Sequence, residues 1–196
     1  AGKKIGRYGA INVEGVRGDI FDDFTIQRVT VTDKDGVWLE ARDVHVDWNY
    51  WSLLVKRFHA DEITAKSIHL IRRPELEPSL EPSGPQALSI DIDKFAADVE
   101  LMEDFSKEYG KWRLSGSAGL PRTGNKDIKV DALSLSRPGD FLKVQAVLSD
   151  KPEDIRLNLQ AQEAKGGPLA GSLGYSPDQP FSATGLMDGR NVRMVM

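Results

Sequence analysis

Apolar and polar residues alternate in short runs along nearly the whole chain, and few stretches carry the three-and-four spacing of an amphipathic helix. A period of two sends successive side chains to opposite faces of a strand, so the pattern predicts an all-β fold with one apolar face. The first block runs from about Ile11 to Arg73. Within it a run from Phe24 to Thr32 leads into Asp33-Lys-Asp-Gly36, residues that tolerate left-handed geometry, and predicts a β-hairpin. On its far side Val37, Leu39 and Ala41 share one phase and Val44, Val46 and Trp48 the other, which predicts a bulge near Arg42-Asp43. The same slip separates Ile63 and Ala65 from Ile68 and Leu70. Between these strands Trp48, Trp51, Leu54, Val55 and Phe58 keep a three-and-four spacing, which predicts a short helix near residues 50–57. Pro74 has no backbone donor and ends the block.

Residues 74–87 are too rich in proline, glutamate and serine to pair or pack, and predict a linker or long loop between residues 1–73 and 88–196. The second block restarts with Leu88, Ile90 and Ile92 on one phase. Further strands are predicted at Val99 to Met102, Trp112 to Leu120, Ile128 to Leu135, Phe141 to Leu148 and Ile155 to Ala161. Strand starts about a dozen residues apart are those of a meander. Gly166 to Gly174 reads as a low-barrier loop or frayed helical turn, and Phe181, Ala183 and Gly185 begin another strand. Ile63 to Pro74 and Val130 to Pro138 echo one another, each a strand closed by Arg-Pro, which points toward a stacked array.

Composition narrows the function classes. With 196 residues, 40% hydrophobic and 29% charged, the chain has the material for a sizeable β domain. Its net charge of -4 is spread over mixed acids and bases, which argues against nucleic acid or an anionic bilayer as partner. The lack of cysteine removes disulfides and thiolate chemistry. Neither end reads as a natural terminus, so a segment of a longer chain is expected.

Candidate chemistry is thin. His45 and His69 fall on the polar phase of their strands, where solvent-facing histidines explain them better than a metal site shared with Asp43 or Asp47. Asp33-x-Asp35-Gly36 has its glycine misplaced for a calcium loop and fits a turn. Asp22-Asp23 and Glu100 with Glu103-Asp104 lack a neighbouring nucleophile or apolar pocket, and no serine sits in a strained elbow. Gly15-x-x-Gly18 lacks the strand and helix context of a phosphate loop and reads as a bend. Trp48 and Trp51, beside Lys56-Arg57, read as caps over the end of a sheet, with a membrane-interface or ligand site as the alternative. The apolar stripe itself leaves two readings open, a dry core between two sheets of a sandwich and a face covered by ligand.

The segments Gly15-Val-Arg-Gly18-Asp19, Asp35-Gly-Val-Trp-Leu-Glu-Ala41, Val44-His-Val-Asp-Trp48, Leu53, Arg57, Ile63-Thr-Ala65 and Ile68-His-Leu-Ile-Arg-Arg-Pro-Glu75 resemble, in order and spacing, the N-terminal periplasmic part of the TamB family of the AsmA-like superfamily. Similarity in the second block is looser, carried chiefly by Ala164-Lys-Gly-Gly-Pro-Leu-Ala-Gly171. The resemblance implies an open, U-shaped β-groove, a β-taco, in the periplasm of a Gram-negative envelope. It implies phospholipid acyl chains as cargo, no cofactor and no enzymatic step. A TamA-like outer-membrane protein and the inner membrane are implied as partners, through family regions beyond the matched residues. The groove-facing residues then expected are Val44, Val46, Trp48, Ile68, Leu70, Ile90, Leu114, Val130, Val144, Leu157 and Leu159. Two other outcomes stay open: an assembly module that aids outer-membrane protein biogenesis by strand pairing, and self-pairing of cut strand edges.

Overall fold

The computed structural model describes residues 3–4, 9–75, 88–189 and 191–195. They form one open sheet of twelve strands laid side by side in chain order. The strands are β1 (Lys3–Lys4), β2 (Ala10–Gly18), β3 (Asp23–Asp33), β4 (Gly36–Trp48), β5 (Arg57–Leu70), β6 (Ser89–Leu101), β7 (Gly110–Leu120), β8 (Lys126–Ser134), β9 (Phe141–Leu148), β10 (Arg156–Glu163), β11 (Phe181–Asp188) and β12 (Asn191–Val195). Neighbours are antiparallel except β5 and β6, which run parallel. The fold is therefore all-β, as alternation predicts, and open like the groove that the resemblance implies; among the described residues no second sheet forms a sandwich over it. The parallel pair is joined through the residues between Leu70 and Ser89. The polar stretch read as a linker falls in this connection, and residues 76–87 lie outside the described ones.

The first phase slip lines up on β2 to β5, and β6 does not follow it, so the β5–β6 register shifts between Ala65 and Ile68. Glu14, Arg28, Arg42 and Ser67 lie abreast on β2 to β5, as do Val16, Ile26, Val44 and Ala65. Gly15, Gln27, Asp43 and Lys66 are therefore level, and each strand takes its extra step in the same row with no register shift. Asp43 (φ 48) and Gly15 (φ 68) adopt left-handed backbone there. At Gly15 the left-handed backbone favours glycine, and a Cβ there would also displace the Gln27 side chain. Gly15 is thus a kink inside β2, not the bend expected from Gly15-x-x-Gly18. A second slip, at Asp61-Glu62 of β5, is matched by Asp93-Lys94 of β6, since Ala60 pairs with Ile92 and Ile63 with Phe95. This slip is why Leu88 to Ile92 and Val99 to Met102 read as separate strands when they belong to the one strand β6.

The exit from β5 is fixed by charge. Asp33, at the β3–β4 turn, accepts from Arg72 Nη1 (3.0 Å) and from the amides of Asp35 (2.8 Å) and Glu75 (2.9 Å). Arg72 Nη2 bonds the same carboxylate and donates to Gly36 O at 2.8 Å. The Arg72 hydrogen bonds hold the Asp33 carboxyl well below the usual carboxylate range. Because the folded pKa is depressed, this stabilisation is complete above the unfolded value of about 3.9 and is lost as pH falls toward the folded one. Asp33→Asn is expected to destabilise the fold by a constant amount between about pH 7 and 5, with the gap from wild type closing below about pH 4 in denaturant unfolding curves.

Candidate binding groove

Pairing carries one face across the sheet without interruption. Phe24, Val46, Ile63, Phe95, Gly116, Val130, Val144, Leu159 and Gly185 succeed one another from β3 to β11 as direct cross-strand partners. Val44, Val46 and Trp48 of β4, Ile68 and Leu70 of β5, Ile90 of β6, Leu114 of β7, Val130 of β8, Val144 of β9 and Leu157 and Leu159 of β10 all lie on this face by the same register.

The opposite face is hydrated and charged. Arg28 and Arg42 flank Glu40 at 2.8 and 2.6 Å, and Arg113 pairs with Asp98 at 3.0 Å. Lys111 lies 3.1 Å from Glu100, and Lys94 pairs with Glu62. The histidines belong here and do not converge: His45 Nδ1 is 3.3 Å from Asp23 and His69 Nε2 is 3.8 Å from Glu100. His59, Asp91 and Asp93, a cluster not anticipated from sequence, come within metal-ligating reach of one another. Arg57 already bonds Asp91, however, so a guanidinium supplies the balancing charge.

Over one half of the second block the apolar face is open. A cavity of about 880 Å³ takes lining residues from every strand of β6 to β11: Ile92, Ala118, Ile128, Ala146, Leu157 and Met187 lie on the apolar face, and polar neighbours including Asp91, Lys129 and Arg156 also border it. Six adjacent strands enclosing one recess means that the sheet is concave there. The other half is roofed. Helical turns α1 (Glu103–Ser106) and α2 (Pro168–Ser172) pack together, and α2 seats Leu169 on a cluster with Trp112, Ala132, Ala161 and Ala183. Leu114 and Leu159, expected as free groove residues, pack against this cluster. Of the two readings of residues 166–174, the helical turn holds at Pro168–Ser172 and the low-barrier loop does not: Pro168, Leu169, Ala170 and Gly171 are all buried.

The roof is held by groups that sequence reasoning passed over. Glu163, buried at the end of β10, accepts from the amides of Leu169 (2.6 Å) and Ala170 (2.7 Å). Desolvation pushes its carboxyl up, opposed by those two amides. Arg73 donates to Gly171 O (2.7 Å) and Ser172 O (3.0 Å) from one side. Arg137 donates to Gly166 O (2.9 Å) from the other and pairs with Asp140, whose Oδ1 accepts from Ala164 N at 2.8 Å. Arg73 and Arg137 are the arginines of the two echoed Arg-Pro pairs. The echo was the only sequence signal for their shared task.

At the far end of the sheet Trp48 lies on the groove face and packs on Phe58, ring centroids 5.4 Å apart. The expected short helix is a 3₁₀ segment, Tyr50–Val55, with no buried residue. Trp51 is exposed, so it does not cap the sheet as anticipated. No family model matches the chain, and no curated protein or solved structure does either.

Glu163→Ala leaves two buried amides without an acceptor, a loss of about 1–3 kcal/mol. Faster hydrogen exchange at Leu169 and Ala170, with exchange in β4 and β5 unchanged, is the expected outcome.

Proposed function

We propose that the chain is a segment of a TamB-like periplasmic conduit, anchored in the inner membrane in its full-length form, that conducts phospholipids between the membranes without enzymatic chemistry. The observation that carries this reading is the apolar face running unbroken from β3 to β11 with an open cavity of about 880 Å³ on it. Burial of an acyl chain is worth about 0.8 kcal/mol per methylene, so such a face holds lipid without a specific polar contact. Cross-strand neighbours along the groove are chemically alike, which lowers the barrier to sliding. The charged opposite face keeps the reverse side in water. A second reading, an assembly module working with a TamA-like outer-membrane protein by strand pairing, is favoured by β12, whose outer edge has no partner among the described residues.

Photo-crosslinking in cells separates the two. Reactive residues at Val144 and Leu157 are expected to give phospholipid adducts, and the alternate-face positions Lys143 and Gln160, which pair with one another and do not line the cavity, none. Leu157→Glu is expected to cut the adduct yield at Val144 by about tenfold, because a carboxylate is costly to bury against hydrocarbon. Protein adducts without lipid at any position favour strand pairing. The absence of adducts at Val144 and Leu157 returns the face to a dry core.

A further inference from the structure

The end of the sheet away from the roof carries an apolar surface that the groove does not explain. Ile20 and Phe21, in the turn between β2 and β3, are 51% and 57% exposed, and Trp51, Leu54 and Val55 of the 3₁₀ segment 66%, 76% and 75%. The two loops form one surface: Phe21 meets Tyr50 edge-on at 5.0 Å, and Tyr50 meets Trp51 at 4.8 Å. Contiguous exposed apolar side chains of this size mark an interaction site.

Three observations identify the partner. First, the loops close many of their own backbone hydrogen bonds. Asp19 Oδ1 accepts from Phe21 N (2.9 Å), Asn49 Oδ1 from Trp51 N (3.0 Å), Asn49 O from Ser52 N (3.1 Å) and Leu53 O from Lys56 N (2.9 Å). Such closure is the condition for entering a medium without water, and it leaves few main-chain groups for a partner strand. Second, Asp19, Asp22, Asp47 and Asp61 line a recess of about 650 Å³ together with the aromatic residues Phe21, Trp48, Tyr50 and Trp51. These carboxylates suit the ammonium of a zwitterionic headgroup, repel an anionic bilayer, and oppose a second copy whose equivalent rim would face them. Third, the surface is continuous with the groove, since Trp48 of the groove face donates from Nε1 to Ile20 O at 3.1 Å.

We propose that this end of the sheet is a lip that docks on a bilayer of zwitterionic phospholipid, with Phe21, Trp51, Leu54 and Val55 among the acyl chains and the carboxylates at headgroup level. Tryptophan and tyrosine, apolar with one polar atom, suit that boundary. The inference extends the lipid-conducting reading by placing a membrane contact on the groove's rim, at the strand ends of β2 to β5, and it is measured separately from that reading.

The test is flotation of the chain with phosphatidylcholine vesicles and with phosphatidylglycerol-rich vesicles. The chain is expected to float with the first and more weakly with the second. Its tryptophan emission is expected to shift to the blue and to be quenched by brominated acyl chains, with the quenching reduced in Trp51→Phe. Leu54→Glu with Val55→Glu is expected to lower the bound fraction about tenfold or more. Both positions are exposed, and unchanged far-ultraviolet circular dichroism confirms that the fold survives. A second pair, Phe21→Ser with Trp51→Ser, is expected to act in the same direction. Failure of the wild-type chain to float, undiminished flotation of both double variants, or self-association that these substitutions abolish without any vesicle binding each overturns the lip. Lipid adducts at Leu157 without flotation remove the lip and leave the conduit. Flotation without adducts removes the conduit and leaves the lip.

Discussion

A strand that bends in a one-faced sheet must not turn its apolar side outward, and every other feature of this protein depends on how that constraint is met. A single inserted residue reverses the phase of everything beyond it on that strand. Had only β4 carried the extra residue at Asp43, its pairing with β3 and β5 would have slipped. Instead Gly15, Gln27, Asp43 and Lys66 sit level, and the bend is shared while the ladder stays in step. The same device recurs between β5 and β6 at Asp61-Glu62 and Asp93-Lys94. Where β7 declines to follow, the register shifts between Ile92 and Phe95 and the apolar face still continues.

Charge fixes what the ladder cannot. The parallel pairing of β5 and β6 has no tight turn to set its register, because a parallel pair needs a long crossover. Arg72 and Arg73 sit where that crossover begins and face different ways: Arg72 closes on Asp33 and Gly36 in the first block, and Arg73 on the carbonyls of α2 in the second. Two adjacent guanidiniums thus tie the hairpin tip to the roof. Each is spent on carbonyl or carboxylate oxygens in a fork geometry that lysine does not reproduce.

Local features of this fold were legible in the sequence, and long-range ones were not. The slips at Arg42-Asp43 and before Ile68 could be read because large apolar residues flank them on both sides. The slip in β6 was missed because its two halves, each with its own alternation, looked like two short strands. The 3₁₀ segment exposes the limit of spacing arguments: Trp51, Leu54 and Val55 keep helical intervals but face water, and periodicity does not report what lies opposite. The roof was out of reach for a different reason. Arg73 and Gly171 are 98 residues apart, and nothing in Gly166 to Gly174 taken alone distinguishes a buried cap from a mobile loop. The face on which each strand residue lies was legible because a period of two, once the slips are placed, assigns faces by counting.

The roof also shows what it takes to lie on this face. A peptide brings amides and carbonyls with it, and α2 is accommodated only because Glu163 meets two of its amides and Arg73 and Arg137 meet carbonyls of the same segment. Glu163 bears a desolvation cost for doing so, seen in the upward pull on its carboxyl. An acyl chain has no such groups. On the proposed reading, the cavity half of the groove therefore needs no counterpart to Glu163 or to the arginines, and Ile92, Ala118, Ile128, Ala146, Leu157 and Met187 supply the apolar contacts. On that reading, the division of the groove into a half closed with polar clamps and a half left open over apolar side chains follows from the different demands of a peptide and an acyl chain.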